Sequence, residues 1–186
     1  MGLTALLMIS ALLAWPMARG ALDWQPARAW SQPWRAFTAV AVHYSALHLG
    51  ANLLGALLVA ALGALARAPV RMVWAWSAAW PLTQLGLLIK PELLHYGGLS
   101  GVLHAGVAVA ALYLVMDGAR SQRVIGAAIL AGTSIKVLLE APWGPALRYG
   151  DGWDIAVAPL AHATGLISGL LCAAAAQVIA ALRRRN

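Results

Sequence analysis

Charge is scarce in this chain. Only 10% of its 186 residues are Asp, Glu, Lys or Arg, against about 25% in a soluble domain, too few to cover a water-facing surface. Cysteine is nearly missing too: Cys172 stands alone, which excludes an internal disulfide and any thiolate cluster for zinc or iron–sulfur. No Gly-X-Y period and no heptad repeat runs through the sequence, so fibrous classes drop out. A hydrophobic content of 62% excludes disorder. What remains is an all-α polytopic membrane protein, a single domain over residues 1–186. The net charge of +7 invites a nucleic-acid reading, but the basic residues fall where membrane topology puts them, and no nucleic-acid partner is expected.

A bilayer core of about 30 Å needs roughly 20 apolar helical residues. Six segments qualify, at about 2–18, 39–66, 72–89, 99–117, 124–141 and 155–182. The first is read as a retained helix rather than a secretion signal. No Lys or Arg precedes it, and Pro16-Met17-Ala18 is a poor cleavage site. Pro81 predicts a kink in the third segment. The short turns hold Arg67, Arg71, Arg120 and Arg123, and the tail ends Arg183-Arg184-Arg185. The longer loops 19–38, 90–98 and 142–154 mix Arg19, Arg28, Arg35, Lys90 and Arg148 with Asp23, Glu92, Asp151 and Asp154. This asymmetry predicts cytoplasmic termini and Arg-rich turns. Trp24, Trp30, Trp34, Trp143 and Trp153 all fall on the other side, as an interfacial aromatic belt would.

Polar groups inside a bilayer are functional candidates by default. His48 and Asn52 are four apart and share one face of the second segment, with His43 nearer the interface. The fourth segment opens with Gly97-Gly98-Leu99-Ser100-Gly101, and the sixth carries His162 about seven residues in. Ser100, His162, His48 and Asn52 therefore come to the same outer third of the bundle. That set suits acyl transfer. A serine hydroxyl needs a base, usually histidine, and a tetrahedral intermediate needs N–H donors such as an Asn amide, an imidazole or a helix N-terminus. Gly98 and Gly101 leave room for a peptide beside the serine. Gly101, Ala105 and Ala108 on the fourth segment, and Gly165 and Gly169 on the sixth, predict a close crossing of those two helices. The acids nearest His162, Asp151 and Asp154, lie in the preceding loop. A serine–histidine dyad is expected rather than a triad.

These residues resemble a known family. Trp34-Arg35 with Phe37-Thr38, the His43, His48, Asn52 spacing, Gly98-Leu99-Ser100-Gly101, and Ala161-His162-x-x-Gly165-x-x-x-Gly169 are similar to the rhomboid intramembrane serine proteases. The resemblance implies a six-transmembrane-helix rhomboid-like bundle. It implies Ser100 as nucleophile, His162 as general base, and His48, Asn52 and the Ser100 backbone N–H as oxyanion donors, with no cofactor or metal. It also implies that loop 19–38 lies partly in the outer leaflet. Many rhomboids have a tyrosine four residues after the serine, packed on the histidine. Here that position is His104, which can stack in the same way but adds a second titratable group.

Within the family, the compact size, the run from Gly98 to His104, and Lys136 and Glu140 followed by Gly144 look most like the rhombosortases. That likeness implies single-span substrates with a C-terminal Gly-Gly motif, a hydrophobic helix and a basic tail (GlyGly-CTERM). It also implies a bacterial inner membrane and an active site open to the periplasm.

Blander readings accompany each residue. A lone membrane serine is usually a packing residue, and His48 and Asn52 can serve as interhelical hydrogen-bond partners. His43 reads as structural, His95 as solvated and Cys172 as packing. Lys136 and Glu140, four apart, read as a structural ion pair, with Glu140 also a candidate for substrate recognition. The absence of His-Glu-x-x-His argues against a zinc protease. Arg148-Tyr149-Gly150-Asp151 lacks the second membrane aspartate of an aspartyl protease. The alternatives are a haem-carrying bundle using the histidines as axial ligands and a catalytically inactive bundle that binds membrane helices.

Overall fold

The computed structural model describes residues 2–184; Arg185 of the basic tail lies outside them. In chain order the helices are α1 (Gly2–Ala14), α2 (Arg19–Leu22), α3 (Arg35–Thr38), α4 (Ala46–Leu65), α5 (Val70–Leu85), α6 (Ser100–Asp117), α7 (Arg120–Leu139) and α8 (Pro159–Arg183). Two isolated antiparallel bridges, Trp24 with Tyr96 and Arg148 with Val157, join loop segments. Four helices, α4, α6, α7 and α8, are long and apolar enough to cross a membrane. With 13 and 16 residues, α1 and α5 fall short of the roughly 20 a bilayer core needs. Among the described residues four helices thus meet the length for a full span, and the six expected are not confirmed.

Local chemistry sets the helix starts, and it moves several predicted boundaries. The second segment becomes helical at Ala46, not at 39. Residues Ala39–Ala41 form a 3-10 turn, and Ser45, in extended conformation, caps α4 by accepting the His48 N–H at 3.0 Å. Pro69 precedes α5, and the helix runs on through Pro81 to Leu85 before tightening into a 3-10 turn at Gly86–Ile89. Regular helix is thus lost a turn after the proline rather than at it. Arg120 and Arg123 lie in the first turn of α7 rather than in a loop, because the Ala119 N–H is satisfied by Gln122 Oε1 at 2.9 Å. The last helix starts at Pro159, whose missing N–H costs nothing at that position. His162 therefore lies three residues into the helix, about 5 Å along it at 1.5 Å per residue.

The centre of the bundle is α6, packed on α4, α5, α7 and α8, with ten of its 18 residues buried. Its crossing with α8 is the tightest. A Cβ on Gly165 would run into the Gly101 carbonyl, and one on Gly169 would lie 2.5 Å from the Ala105 carbonyl oxygen. Small residues on both helices permit that approach. By contrast α7 buries little of itself and packs on α6 and, more lightly, on α8.

The first long loop is more deeply built into the protein than an interfacial belt requires. Trp24 is fully buried, paired with Tyr96 by two backbone hydrogen bonds of 2.7 and 2.9 Å, while Trp30, Trp34, Trp143 and Trp153 are exposed. Trp24 therefore leaves the predicted belt for the core. Beside it, buried Asp23 accepts from Arg35 at 3.2 Å and Gln25 at 2.8 Å, and pairs with His95 at 2.7 Å. His95, read from sequence as solvated, is half-exposed and paired. This cluster ties the loop before α4 to the loop before α6.

Candidate active site

Ser100 opens α6, two residues after Gly98, whose φ of +126° lies in the region favouring glycine. The chain turns sharply there and presents the first backbone N–H groups of α6, which have no partner within the helix. Next to Ser100, Gly101 lies against the carbonyl of Ala161, next to His162; a Cβ on Gly101 would be 2.8 Å from that oxygen. The close helix crossing thus brings the neighbours of the serine and the histidine together.

Ser100, His162, His48, Asn52 and His104 line one cavity of about 920 Å³. It runs between α4, which contributes Leu58 and Leu62, and α7, which contributes Ile129 and Gly132. The segment from Leu147 to Pro159 borders it at the end where α4, α6 and α8 begin. That segment is tied to α4 by Ser45, whose hydroxyl donates to Asp154 at 2.7 Å. Asp154 is therefore engaged by the α4 cap.

The hydrogen-bond partners of the histidines assign their tautomers. His48 Nδ1 accepts the Tyr44 N–H at 3.4 Å, which leaves Nε2 carrying the proton. That Nε2–H faces Gly98: a Cβ there would be 2.6 Å from His48 Nε2 and 3.4 Å from Asn52 Nδ2. Asn52 Nδ2 is buried without a hydrogen-bond partner. A buried unpaired donor is costly, and this one faces Gly98 beside the Ser100 turn. Two side-chain donors thus converge beside the turn that carries Ser100.

His162 has the opposite arrangement. Its Nδ1 lies 2.6 Å from Glu140 Oε2. A carboxylate accepts only, so Nδ1 carries the proton and Nε2 keeps its lone pair. The expectation that no acid reaches this imidazole does not hold: Glu140, at the end of α7, reaches it. The other Glu140 oxygen pairs with Lys136 Nζ at 2.9 Å. Lys136 Nζ also donates to His104 Nε2 at 2.8 Å, and His104 Nδ1 in turn donates to the Ser100 carbonyl at 2.7 Å. The His104 ring stacks on His162 with centroids 4.2 Å apart and planes 18° apart. Among the described residues, no hydrogen bond joins the Ser100 hydroxyl to His162. The two share one cavity wall and are bridged by His104.

His43 is buried, with Nδ1 3.3 Å from the Ala41 carbonyl and its ring 4.8 Å from that of His48. Burial pushes the Tyr96 phenol upward, so it is protonated beside the Ser100 turn. Among the described residues no three His, Cys, Asp or Glu side chains are grouped as metal ligands. Sequence reasoning overlooked Glu140 as the partner of His162. The available signal was its place at the site end of α7, level with Ser100 and His162.

Among curated proteins none matches the chain. A family model described as the Rhomboid domain matches residues 30–177, most of its length.

Proposed function

The chain belongs to the rhomboid family, a family of intramembrane serine proteases and multi-pass membrane proteins, and from that premise we propose that it is an active protease using Ser100 and His162. Ser100 Oγ attacks the scissile carbonyl of a membrane-embedded substrate, forming the C–O bond as His162 Nε2 takes the hydroxyl proton. The negative charge that develops on the carbonyl oxygen is met by His48 Nε2–H, Asn52 Nδ2–H and the Ser100 backbone N–H. Collapse of the intermediate breaks the C–N bond, and His162 returns its proton to the leaving amine. Water then hydrolyses the acyl-enzyme by the same relay. The mechanism requires the Ser100 hydroxyl to come within hydrogen-bond reach of His162 Nε2 when substrate binds, since catalytic hydrogen bonds are commonly long or misaligned before that.

The observation that carries this reading is the pair of opposite tautomers. One histidine is held as a donor beside an unpartnered Asn52 amide, and the other as an acceptor, on the walls of one cavity. Buried Gln84 and Trp24 also carry unpaired groups; what sets Asn52 apart from them is its place on the cavity wall with His48 and Ser100.

The substrate reaches the cavity laterally, between α4 and α7, where its lining is apolar. Arg67, Arg71, Arg120, Arg123, Arg183 and Arg184 gather at the opposite end of the long helices. Their excess supports a cytoplasmic location for that end and for both termini, in a bacterial inner membrane with the cavity open to the periplasm. Within the family the chain reads as a rhombosortase acting on GlyGly-CTERM proteins, supported by Gly98 to His104 and by Lys136, Glu140 and Gly144. Co-expression with a reporter ending in Gly-Gly, an apolar helix and a basic tail tests this. Wild type is expected to process the reporter, and Ser100→Ala and His162→Ala are expected not to. Equal processing of a reporter with Leu-Leu in place of Gly-Gly would contradict the rhombosortase assignment and leave the protease reading intact. Processing by the Ser100 variant would contradict both.

A further inference from the structure

We infer that Glu140 is a positioning residue for catalysis: it holds His162 in the Nδ1–H tautomer that a general base requires, and Lys136 holds Glu140 in place. The inference rests on the protease reading and replaces its dyad with a serine–histidine–glutamate array.

The geometry of Glu140 is that of a built site. Its carboxylate has both oxygens engaged, Oε2 by His162 Nδ1 at 2.6 Å and Oε1 by Lys136 Nζ at 2.9 Å. Its backbone is held as well. The N–H donates to the Lys136 carbonyl at 3.2 Å, and the carbonyl accepts from Arg148 at 2.7 Å. The next residue, Ala141, has φ +51°, a left-handed turn that ends the helix at this point. Each carboxylate oxygen thus already has a partner from this protein. The side chain is three-quarters buried, so water competes poorly for the His162 proton.

Lys136 makes the arrangement one-directional. It touches His162 Nδ1 at 3.2 Å, but that atom already donates to Glu140, so the ammonium serves Glu140 and His104 instead. From His104 the chain of hydrogen bonds continues to the Ser100 carbonyl. The backbone of the proposed nucleophile and the orientation of its base are thereby set by one connected group of side chains. Lys136 is one of only two lysines in the chain.

This gives a test whose order of effects a structural role would reverse. In Glu140→Gln, the lysine selects the amide oxygen, so the amide N–H₂ faces His162 Nδ1. Nδ1 must then accept, the proton moves to Nε2, and the base is blocked. Glu140→Ala imposes no tautomer. A merely structural Glu140 would tolerate the isosteric Gln better than Ala. Replacing the orienting acid of a serine triad by its amide costs about 10⁴-fold, and Glu140→Ala, which leaves the productive tautomer accessible, is expected to lose less.

The measurement is the rate at which a fluorophosphonate acylates Ser100 in detergent-purified wild type, Glu140→Asp, Glu140→Ala and Glu140→Gln, with melting temperatures recorded in parallel. The expected order of rates is wild type, Asp, Ala, Gln. Glu140→Gln reacting as fast as Glu140→Ala, or faster, overturns the assignment. Should the variants not fold, ¹⁵N spectra of histidine-labelled wild type, with His162 identified by its loss in His162→Ala, decide the matter. A protonated Nδ1 supports the inference and a protonated Nε2 overturns it. If wild-type Ser100 does not react at all, it is the protease reading that fails.

Discussion

Gly98 presses against the imidazole of His48: a methyl group in place of its α-hydrogen would come within 2.6 Å of His48 Nε2. Together with a φ of +126°, this makes the glycine a condition for the donor pocket beside Ser100. Gly98→Ala must displace either the backbone turn or the His48 ring. A misplacement of about 1 Å at a reacting centre costs about 10²-fold. Acylation of Ser100 in Gly98→Ala should fall by at least that factor, as measured with a fluorophosphonate probe. An unchanged rate would show that His48 plays no part in the reaction.

Asn52 offers a more selective test of the oxyanion site. Its amide nitrogen has no partner in the resting protein, so in the proposed mechanism its removal forfeits an interaction that forms only in the transition state. Asn52→Ala should lower kcat by about 10²–10³-fold with little change in KM. A rise in KM at constant kcat would assign Asn52 to substrate binding instead.

The positions of Ser100, His48, Asn52 and His162 were legible in the sequence because each depends on local rules. Gly98 and Ser100 mark a helix start, the four-residue spacing of His48 and Asn52 sets a common face, and small residues at 101, 105, 165 and 169 imply a close crossing. Glu140 was not legible in its role. It is 22 residues from His162, and only the packing of α7 against α8 brings the two together. Asp154, closer in sequence, pairs with Ser45 instead. The burial of Trp24 and Arg35 was not legible for a related reason. Loop composition predicts contact with water or lipid, whereas bonds from Trp24 to Tyr96 and from Arg35 to Asp23 are tertiary.

The crossing of α6 and α8 carries a prediction about stability. Gly165 lies against the Gly101 backbone with no space for a side chain. Gly165→Val must push the two helices apart, and overpacking costs about 1–3 kcal/mol. A lower melting temperature in detergent and loss of activity should appear together. A variant that melts as wild type would show that the helices do not pack this closely.

The Asp23 cluster carries another. Asp23→Ala would leave the Arg35 guanidinium buried without its carboxylate, side chains that are 6% and 2% exposed in the intact pair. Breaking a buried pair by removing one partner costs about 3–5 kcal/mol. Asp23→Ala should therefore melt well below wild type, and proteolysis should open first within loop 19–38. Melting within a degree or two of wild type would place Arg35 in contact with water.

The most direct measurement is the site of covalent modification. Purified wild-type protein is treated with a fluorophosphonate, digested, and the adduct located by mass spectrometry. A single adduct is expected on Ser100, lost in Ser100→Ala and strongly reduced in His162→Ala. An adduct on any other residue, or undiminished labelling in His162→Ala, would contradict that expectation.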